Sequence, residues 1–198
     1  MSAHAPTTAL SGGFSYSELR AADTNYPTTI EPLAPGTSGT FQALDAMRSA
    51  VRGEVPPDYS GCRDPEIKQA AISIVGKDRG ADRNEIATLF DFVAHRIHYL
   101  DHPPQMQIVQ DAKRTIEIGS GDCVSKSVLL ATLLASLGYQ PYFIAQYISD
   151  DEGYGHVYVA LDMNGETLRL DPVASDSPMG WSQKLQDGGF ETSYPIFR

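Results

Sequence analysis

Apolar residues recur at helical spacing in three stretches between residues 64 and 137. The first follows Asp64-Pro65, an N-cap residue with proline at the first helical position, and the second runs from about 82 to 98. The third, Cys123 to Leu137, carries one charge, Lys126, and is apolar on nearly every side. A helix without a polar face is typical of the centre of a domain, so we expect the third helix to be buried there.

After the third helix the hydrophobic pattern changes to the strand period. Residues 142–148 are rich in β-formers, residues 156–161 alternate, and residues 167–170 follow the turn signal Asn164-Gly165. If that turn closes a hairpin, paired residues have numbers that sum to about 329. Residues 105–121 are expected to form a loop with one short turn. Helices followed by an antiparallel meander indicate an α+β fold, with the helices packed on a small antiparallel sheet.

Residues 1–60 differ in composition from the rest of the chain. They hold six of the thirteen prolines, and only Phe41 to Val51 has helical apolar spacing. We interpret residues 1–60 as an extended arm with one short helix, and a disordered leader is the alternative. Because the arm lacks the periodicity to build a core, its removal is expected to leave the remaining fold stable. The globular core is placed at 61–173 and a C-terminal tail at 174–198.

Charge and composition exclude several classes of function. The 198 residues include 15 Lys and Arg against 25 Asp and Glu, a net charge of −10. Nucleic-acid binding and polybasic membrane binding both need clustered positive charge, so neither partner is expected. No apolar run reaches the roughly 18 residues that span a bilayer, and no basic segment followed by an apolar stretch opens the chain. These patterns favour a cytoplasmic protein, or a virion protein if the gene belongs to a phage.

The chain has two cysteines, Cys62 and Cys123. Two are too few for a disulfide scaffold or a four-cysteine zinc site, and we expect no metal and no cofactor. A single disulfide between them stays open as the less favoured alternative, because reducing compartments keep thiols free.

The chemistry of the chain centres on Cys123, which follows Gly119-Ser120-Gly121-Asp122 at the start of the third helix. Unpaired backbone N–H groups and the helix dipole stabilise a thiolate there, so the pKa of Cys123 is expected to fall. His156 opens one strand of the predicted hairpin and Asp171 closes the other, on the same face and within reach of each other. Together the three side chains are suited to acyl transfer through a thioester. Taken singly, each is more often structural: a small buried cysteine, a packed histidine, a turn aspartate.

Four segments in combination resemble the transglutaminase-like superfamily: Gly121-Asp122-Cys123, residues 129–138, Gly155-His156-Val157-Tyr158-Val159 and Leu170-Asp171-Pro172. The resemblance covers residues 64–173 and is closest to small forms in bacterial and phage genomes. It implies a papain-like core with the cysteine on the central helix and the other two residues on adjacent strands. Carried over by position, it implies that Cys123 is the nucleophile, His156 the base and Asp171 the residue that orients the base.

The sequence departs from the family pattern near the expected substrate site. Val124-Ser125 follow the cysteine where two acids are common, and Ala112 occupies a position where a proline is expected. Papain-like enzymes often place a glutamine in the oxyanion hole, and Gln110 is the first candidate for that role. Gln105 and Gln107 are alternatives, as is a solvated loop position for all three.

Two functions follow as hypotheses. The first is a cysteine hydrolase or acyltransferase that acts on peptide or isopeptide amide bonds of a protein or peptide substrate, with cleavage favoured over cross-linking. The second is a structural or assembly protein of a phage particle, with or without activity, in which residues 1–60 wrap around neighbouring subunits, because extended chains cover large surfaces with few residues.

Overall fold

The computed structural model describes residues 29–31, 36–54, 60–100, 107–149, 153–173, 176, 178–185 and 188–197. Within these ranges the helices are α1 (Gly36–Arg52), α2 (Pro65–Val75), α3 (Asp82–Arg96), α4 (Ala112–Ile118) and α5 (Cys123–Ser136). The strands are β1 (Thr29–Glu31), β2 (His98–Tyr99), β3 (Gln107–Val109), β4 (Ser120–Gly121), β5 (Tyr142–Ser149), β6 (Gly153–Met163), β7 (Glu166–Leu170) and β8 (Phe190–Pro195). The predicted α+β class is confirmed.

Helix α5 lies at the centre of the molecule, as its apolar sequence predicts. It contacts each of the other four helices and strand β6. All of its residues except Cys123 and Ala135 are buried, including the charged Lys126. Because nearly all of α5 is packed in the core, the rest of the helix fixes the position of its first residue, Cys123.

The main sheet has four antiparallel strands in the order β7-β6-β5-β8. Strands β6 and β7 are joined at Asn164 (φ 54°) and Gly165 (φ 82°), and two left-handed residues in sequence are what a tight type I′ hairpin turn requires. Val159 lies opposite Leu170 and Met163 opposite Glu166. The residue numbers of each pair therefore have the sum of about 329 that is expected for a hairpin with its turn at this position.

The two faces of strand β6 have different neighbours. Val157, Val159 and Leu161 belong to the core that includes the helices, whereas Tyr158 and Ala160 belong to a small separate cluster with Ile144. Because side chains alternate along a strand, His156 shares the face of Tyr158. We call this the outer face of the sheet.

The segment predicted as a loop, 105–121, contains a helix and two short strands, so this prediction was wrong. Helix α4 begins after Asp111, whose carboxylate accepts the Arg114 N–H at 2.7 Å, and ends at Gly119 in the left-handed conformation (φ 71°). Both ends carry ordinary helix signals. The helix is only two turns long, and its burial in the core rather than its periodicity stabilises it.

The boundary expected between residues 60 and 61 does not separate two units in the structure. Helix α1 extends over the predicted Phe41–Val51 stretch, and Leu44, Met47 and Val51 are fully buried in the same core as α5. Helix α1 cannot form a core alone, and its apolar face instead packs against the core formed by the residues that follow it. The expectation that residues 1–60 add little to stability conflicts with this packing. Residues 1–28 lie outside the described residues.

The C-terminal residues predicted to be a tail also join the fold. Strand β8 pairs antiparallel with β5, with Tyr142 opposite Pro195 and Gln146 opposite Glu191. Strand β8 is largely polar and lies at the edge of the sheet, so apolar and polar residues alternate little along it. The sequence pattern therefore did not indicate a strand at these residues. Among the described residues, no helix combines the length and the apolar character needed to cross a membrane.

Candidate active site

Cys123 is the first residue of α5, and the segment before it is fixed on both sides. The Asp122 carboxylate caps the helix by accepting the Ser125 N–H at 2.8 Å. Strand β4 is held by β2, because the N–H of Leu100 donates to the carbonyl of Gly121 at 3.2 Å. A Cβ at Gly121 would lie 2.6 Å from Cβ of Ser125, so glycine is required for this close approach.

His156 and Asp171 form a direct hydrogen bond on the outer face of the sheet. Nε2 of His156 lies 2.8 Å from Oδ2 of Asp171, and the two residues are 7% and 1% exposed. The Asp171 carboxylate also accepts the backbone N–H groups of Val173 at 3.2 Å and Gln183 at 3.3 Å. With Nε2 engaged, Nδ1 is the ring nitrogen available for proton exchange with a neighbouring group.

The N-terminus of α5 docks on strand β6 at the residue that follows His156. The backbone N–H of Val157 lies close to the sulfur of Cys123 and favours the thiolate form of its side chain. One helical turn further, the Ser127 hydroxyl donates to the carbonyl of Val157 at 3.2 Å. Both contacts place Cys123 beside the strand that carries His156, and the hydrogen bond between His156 and Asp171 joins the other two predicted site residues. Cys62 and Cys123 are both free thiols, so the alternative disulfide is not formed.

The electrostatics of Cys123 differ from the expectation. Burial raises the pKa of its thiol to about 12, and the neighbouring Asp122 carboxylate adds to the increase. Hydrogen bonds from the N–H groups of Val157 and Val124 act in the opposite direction but are smaller in effect. The prediction that the helix N-terminus lowers this pKa was therefore wrong, because desolvation of the thiolate outweighs the helix dipole. The resting site holds a neutral thiol.

Lys126, the one charged residue that the sequence places in α5, stabilises the segment that connects α3 to β2. Its side chain is 1% exposed, and Nζ donates to the carbonyls of Ala94 at 3.2 Å and Ile97 at 2.9 Å, at the end of α3. Burial lowers the pKa of Lys126 to about 8, against the opposing charge of Asp171. The ammonium thus satisfies the last carbonyls of α3 and fixes the chain where it enters β2.

A polar network that the sequence analysis did not identify continues from Asp171 across the outer face. Gln146 lies opposite His156 on β5 and is 6% exposed. Its Nε2 donates to the carbonyl of Gln183 at 2.7 Å and to Oε1 of Glu191 at 2.9 Å. The side chain of Gln146 therefore connects Gln183 to strand β8, and the N–H of Gln183 in turn binds Asp171.

Glu191 is the centre of the second half of this network. Both of its carboxylate oxygens accept from Arg169 at 2.9 Å, and Oε1 also accepts the Tyr158 hydroxyl at 2.9 Å. These hydrogen bonds, with that of Arg169 the largest contributor, lower the pKa of Glu191 to about 2, although partial burial opposes them. Only the alternation of polar residues on β6, β7 and β8 signalled such a network in the sequence, and β8 was not predicted.

The structure gives Gln110 a buried position, so it is not a solvated loop residue. It is 7% exposed, and its Oε1 accepts the Thr115 hydroxyl at 3.4 Å. Thr115 in turn lies 3.6 Å from where a Cβ of Gly121 would be, next to the segment that leads to Cys123. Gln107 lies on β3, and Gln105 falls outside the described residues. The oxyanion role of Gln110 stays a prediction.

Within the described ranges, no three His, Cys, Asp or Glu side chains are grouped in a way that could hold a metal ion. A small cavity of about 60 Å³ opens beside His156. Its walls are formed by β5, by the start of β6 and by residues 183–185.

Two solved structures resemble this one in fold. A protein described as a putative protease from Parabacteroides distasonis matches with a TM-score of 0.51 and 17% identity, over 77% of this chain and 27% of that protein. One described as a putative cysteine protease from Cytophaga hutchinsonii matches with a TM-score of 0.44 and 16% identity, over 56% of this chain and 38% of that protein. This chain spans less than two fifths of either protein. No curated protein matches the sequence.

The family model of the transglutaminase-like superfamily matches residues 68–172, from α2 to the end of the β6–β7 hairpin. This range is more than half of the chain and includes Cys123, His156 and Asp171. It begins after α1 and ends before Gln183 and β8, which complete the fold around it. The chain belongs to the transglutaminase-like superfamily.

Proposed function

We propose that the protein is a cysteine hydrolase or acyltransferase that acts on peptide or isopeptide amide bonds through a thioester on Cys123. One observation carries the proposal: His156 is bonded to Asp171 at 2.8 Å, and the N–H of the next residue of the same strand, Val157, lies close to the Cys123 sulfur. A thiol, an imidazole and a carboxylate arranged in that order form the arrangement used for nucleophilic acyl transfer.

The first half of the reaction forms the thioester. Because the thiol is neutral at rest, its proton must move to Nδ1 of His156 as the sulfur attacks the substrate carbonyl carbon. Asp171 holds the imidazole through Nε2 and stabilises the imidazolium that forms. The C–N bond of the tetrahedral intermediate then breaks, and the leaving amine takes the proton from Nδ1. The site returns to a neutral imidazole with an acyl group on the sulfur.

The N-terminal turn of α5 supports the negative charge that develops on the carbonyl oxygen. The first N–H groups of a helix have no partner within the helix, and the dipole favours an anion there. The N–H group of Cys123 is the donor closest in sequence to the reacting sulfur, and the Gln110 amide is proposed as a further donor. In the second half of the reaction, His156 removes a proton from water, which attacks the thioester carbon and releases the carboxylic acid and the thiol.

Intact-mass spectrometry after an acid quench tests the proposal. The chain is incubated with a p-nitrophenyl ester of an N-acetylated dipeptide, and an acyl adduct that is cleaved by hydroxylamine is expected on Cys123. The Cys123→Ser variant should accumulate no thioester. The Cys62→Ser variant is the matched control, since it removes the other thiol and should retain the adduct. An adduct on Cys62 alone, or none on either cysteine, would show that Cys123 is not the nucleophile.

The assembly alternative has less support. It rests on residues 1–60 as an extended arm that wraps around neighbouring subunits, but the apolar face of the Phe41–Val51 stretch within that arm packs inside the chain through Leu44, Met47 and Val51. We therefore place the enzymatic function first.

A further inference from the structure

The cavity beside His156 has a defined set of walls. They are formed by Gln146, Tyr147, Gly155, His156, Gln183, Lys184 and Leu185. A volume of about 60 Å³ is sufficient for a small polar group such as a carboxylate, and not for a large side chain. Since His156 forms part of the wall, whatever enters the cavity lies next to the base of the proposed reaction.

The position of residues 183–185 relative to His156 is fixed by two partly buried hydrogen bonds of the Gln183 backbone. Nε2 of Gln146 donates to the carbonyl of Gln183 at 2.7 Å, and the N–H of Gln183 reaches the Asp171 carboxylate at 3.3 Å. Both partners of Gln183 are buried, at 6% and 1% exposed. The next residue, Lys184, is therefore presented to the cavity by an anchored backbone.

The charges around the cavity are unequal. Among the residues that the structure describes, Lys184 is the only cation in the cavity walls, it is exposed, and it forms no ion pair with another of them. Two carboxylates on the same face of the sheet, both in the described part of the chain, are engaged: Asp171 accepts from His156, and Glu191 is paired with Arg169. In a chain with a net charge of −10, this leaves a positive group in the same cavity as His156 that can attract an anion.

We propose that Lys184 gives the site a preference for substrates that carry a carboxylate next to the bond that reacts, with the carboxylate bound in this cavity. Leu185 provides an apolar wall for the methylenes that carry it. The carboxylate belongs either to an acidic side chain or to the C-terminus of a chain. The inference rests on the proposed function, because it assumes that acyl transfer takes place at Cys123.

Two alkylating reagents of similar size and different charge test the preference without a known substrate. In a Cys62→Ser background at pH 8.5, Cys123 is labelled by iodoacetate, which is anionic, and by iodoacetamide, which is neutral. Lys184→Met is expected to lower the ratio of the iodoacetate rate to the iodoacetamide rate by about fivefold, the effect of one charge at a short distance in water. Lys184→Glu should lower the ratio further, and 0.5 M salt should reduce the difference.

The controls separate this inference from the function on which it rests. Lys77→Met removes an exposed lysine elsewhere on the surface and should leave the ratio unchanged. If both reagents label Cys123 and the Lys184→Met ratio equals that of the parent, the inference is wrong while the proposed function stands. If neither reagent labels Cys123, the proposed function is wrong and the inference with it.

Three peptides distinguish the two sources of the carboxylate by protecting Cys123 from iodoacetamide. N-acetyl-Ala-Glu-Ala-amide carries it on a side chain, N-acetyl-Ala-Gln-Ala carries it at the C-terminus, and N-acetyl-Ala-Gln-Ala-amide is neutral. One of the charged peptides is expected to protect at a concentration several-fold lower than the neutral peptide, and Lys184→Met should remove the difference. Equal protection by all three would overturn the preference.

Discussion

The backbone N–H of Gln183 lies 3.3 Å from Oδ2 of Asp171, the oxygen that is also 2.8 Å from Nε2 of His156. A residue outside the family match thus helps to hold the carboxylate that orients the imidazole. The contact depends in turn on Gln146, whose amide binds the carbonyl of the same residue at 2.7 Å. The segment after the hairpin is therefore part of the candidate active site, and its attachment is open to test.

Replacing Gln146 with leucine is expected to weaken catalysis without abolishing it. The variant keeps the volume but leaves the carbonyl of Gln183 without this donor, so residues 181–185 should loosen, while Oε1 of Glu191 keeps its hydrogen bonds from Arg169 and Tyr158. We expect the turnover number to fall about tenfold, and proteolysis within 181–185 to become faster. Turnover is measured with the activated ester, and cleavage sites are identified by mass spectrometry.

Tyr142→Phe is the matched control for Gln146→Leu. Tyr142 lies on the same face of β5 and loses a hydrogen bond to Asp162 of 3.0 Å, away from His156. Its turnover and proteolysis should equal those of the parent protein. Equal loss in the two variants would mean that the effect comes from general weakening of the sheet.

Asp171→Asn is expected to leave the fold intact and to reduce the rate of thioester formation by a factor of about 10² to 10⁴. The single amide oxygen of asparagine can accept the N–H of Val173 or that of Gln183, which bind different oxygens of Asp171, and asparagine carries no charge to stabilise the imidazolium of His156. The rate is measured by acid-quenched mass spectrometry, and circular dichroism checks the fold. Turnover within a factor of two of the parent would remove Asp171 from the mechanism.

The pH dependence of Cys123 labelling follows from its raised pKa of about 12. Below its pKa a thiol gains thiolate by about tenfold for each pH unit. In the Cys62→Ser protein we therefore expect the iodoacetamide rate to rise continuously from pH 6 to 9. A plateau below pH 7 would instead indicate a preformed pair of thiolate and imidazolium, and would contradict the neutral resting thiol.

The parts of the site that the sequence predicted correctly are local in the chain. The turn at Asn164-Gly165 sets the register of β6 and β7, and the register alone brings His156 and Asp171 to the same face. The start of α5 likewise follows from Asp122 as its N-cap. Each of these features depends on residues less than about twenty positions apart, where periodicity and turn chemistry are sufficient.

The features that the sequence did not predict depend on contacts between distant residues. Gln146, Gln183 and Glu191 meet only after β8 has joined the sheet edge, and no spacing rule indicates that pairing. The pKa of Cys123 was predicted in the wrong direction because the helix N-terminus is visible in the sequence, whereas the depth of burial is a property of the packed structure.

Glu191 is expected to make the free energy of unfolding depend on pH in the acidic range. Its pKa in the fold, about 2, lies below that of an unfolded chain, so its contribution is complete above about pH 4.5 and is lost as pH falls toward 2. Glu191→Gln should lower the free energy of unfolding at pH 7 by about 2 kcal/mol, with the difference disappearing near pH 2. Urea denaturation at several pH values measures it. Glu66→Gln, which breaks an exposed pair with Lys113, should show little effect at any pH.

Helix α1 is expected to be essential for the stability of the candidate catalytic core, although it precedes the family match. Leu44 is fully buried in the core around α5, whereas Phe41 on the same helix is 43% exposed. Leu44→Ala should therefore lower the free energy of unfolding by about 2 to 5 kcal/mol, and Phe41→Ala by less than about 1 kcal/mol. A protein that begins at residue 61 should melt far below the full chain or fail to fold. Equal melting temperatures for the full and shortened chains would show that the core is complete without α1.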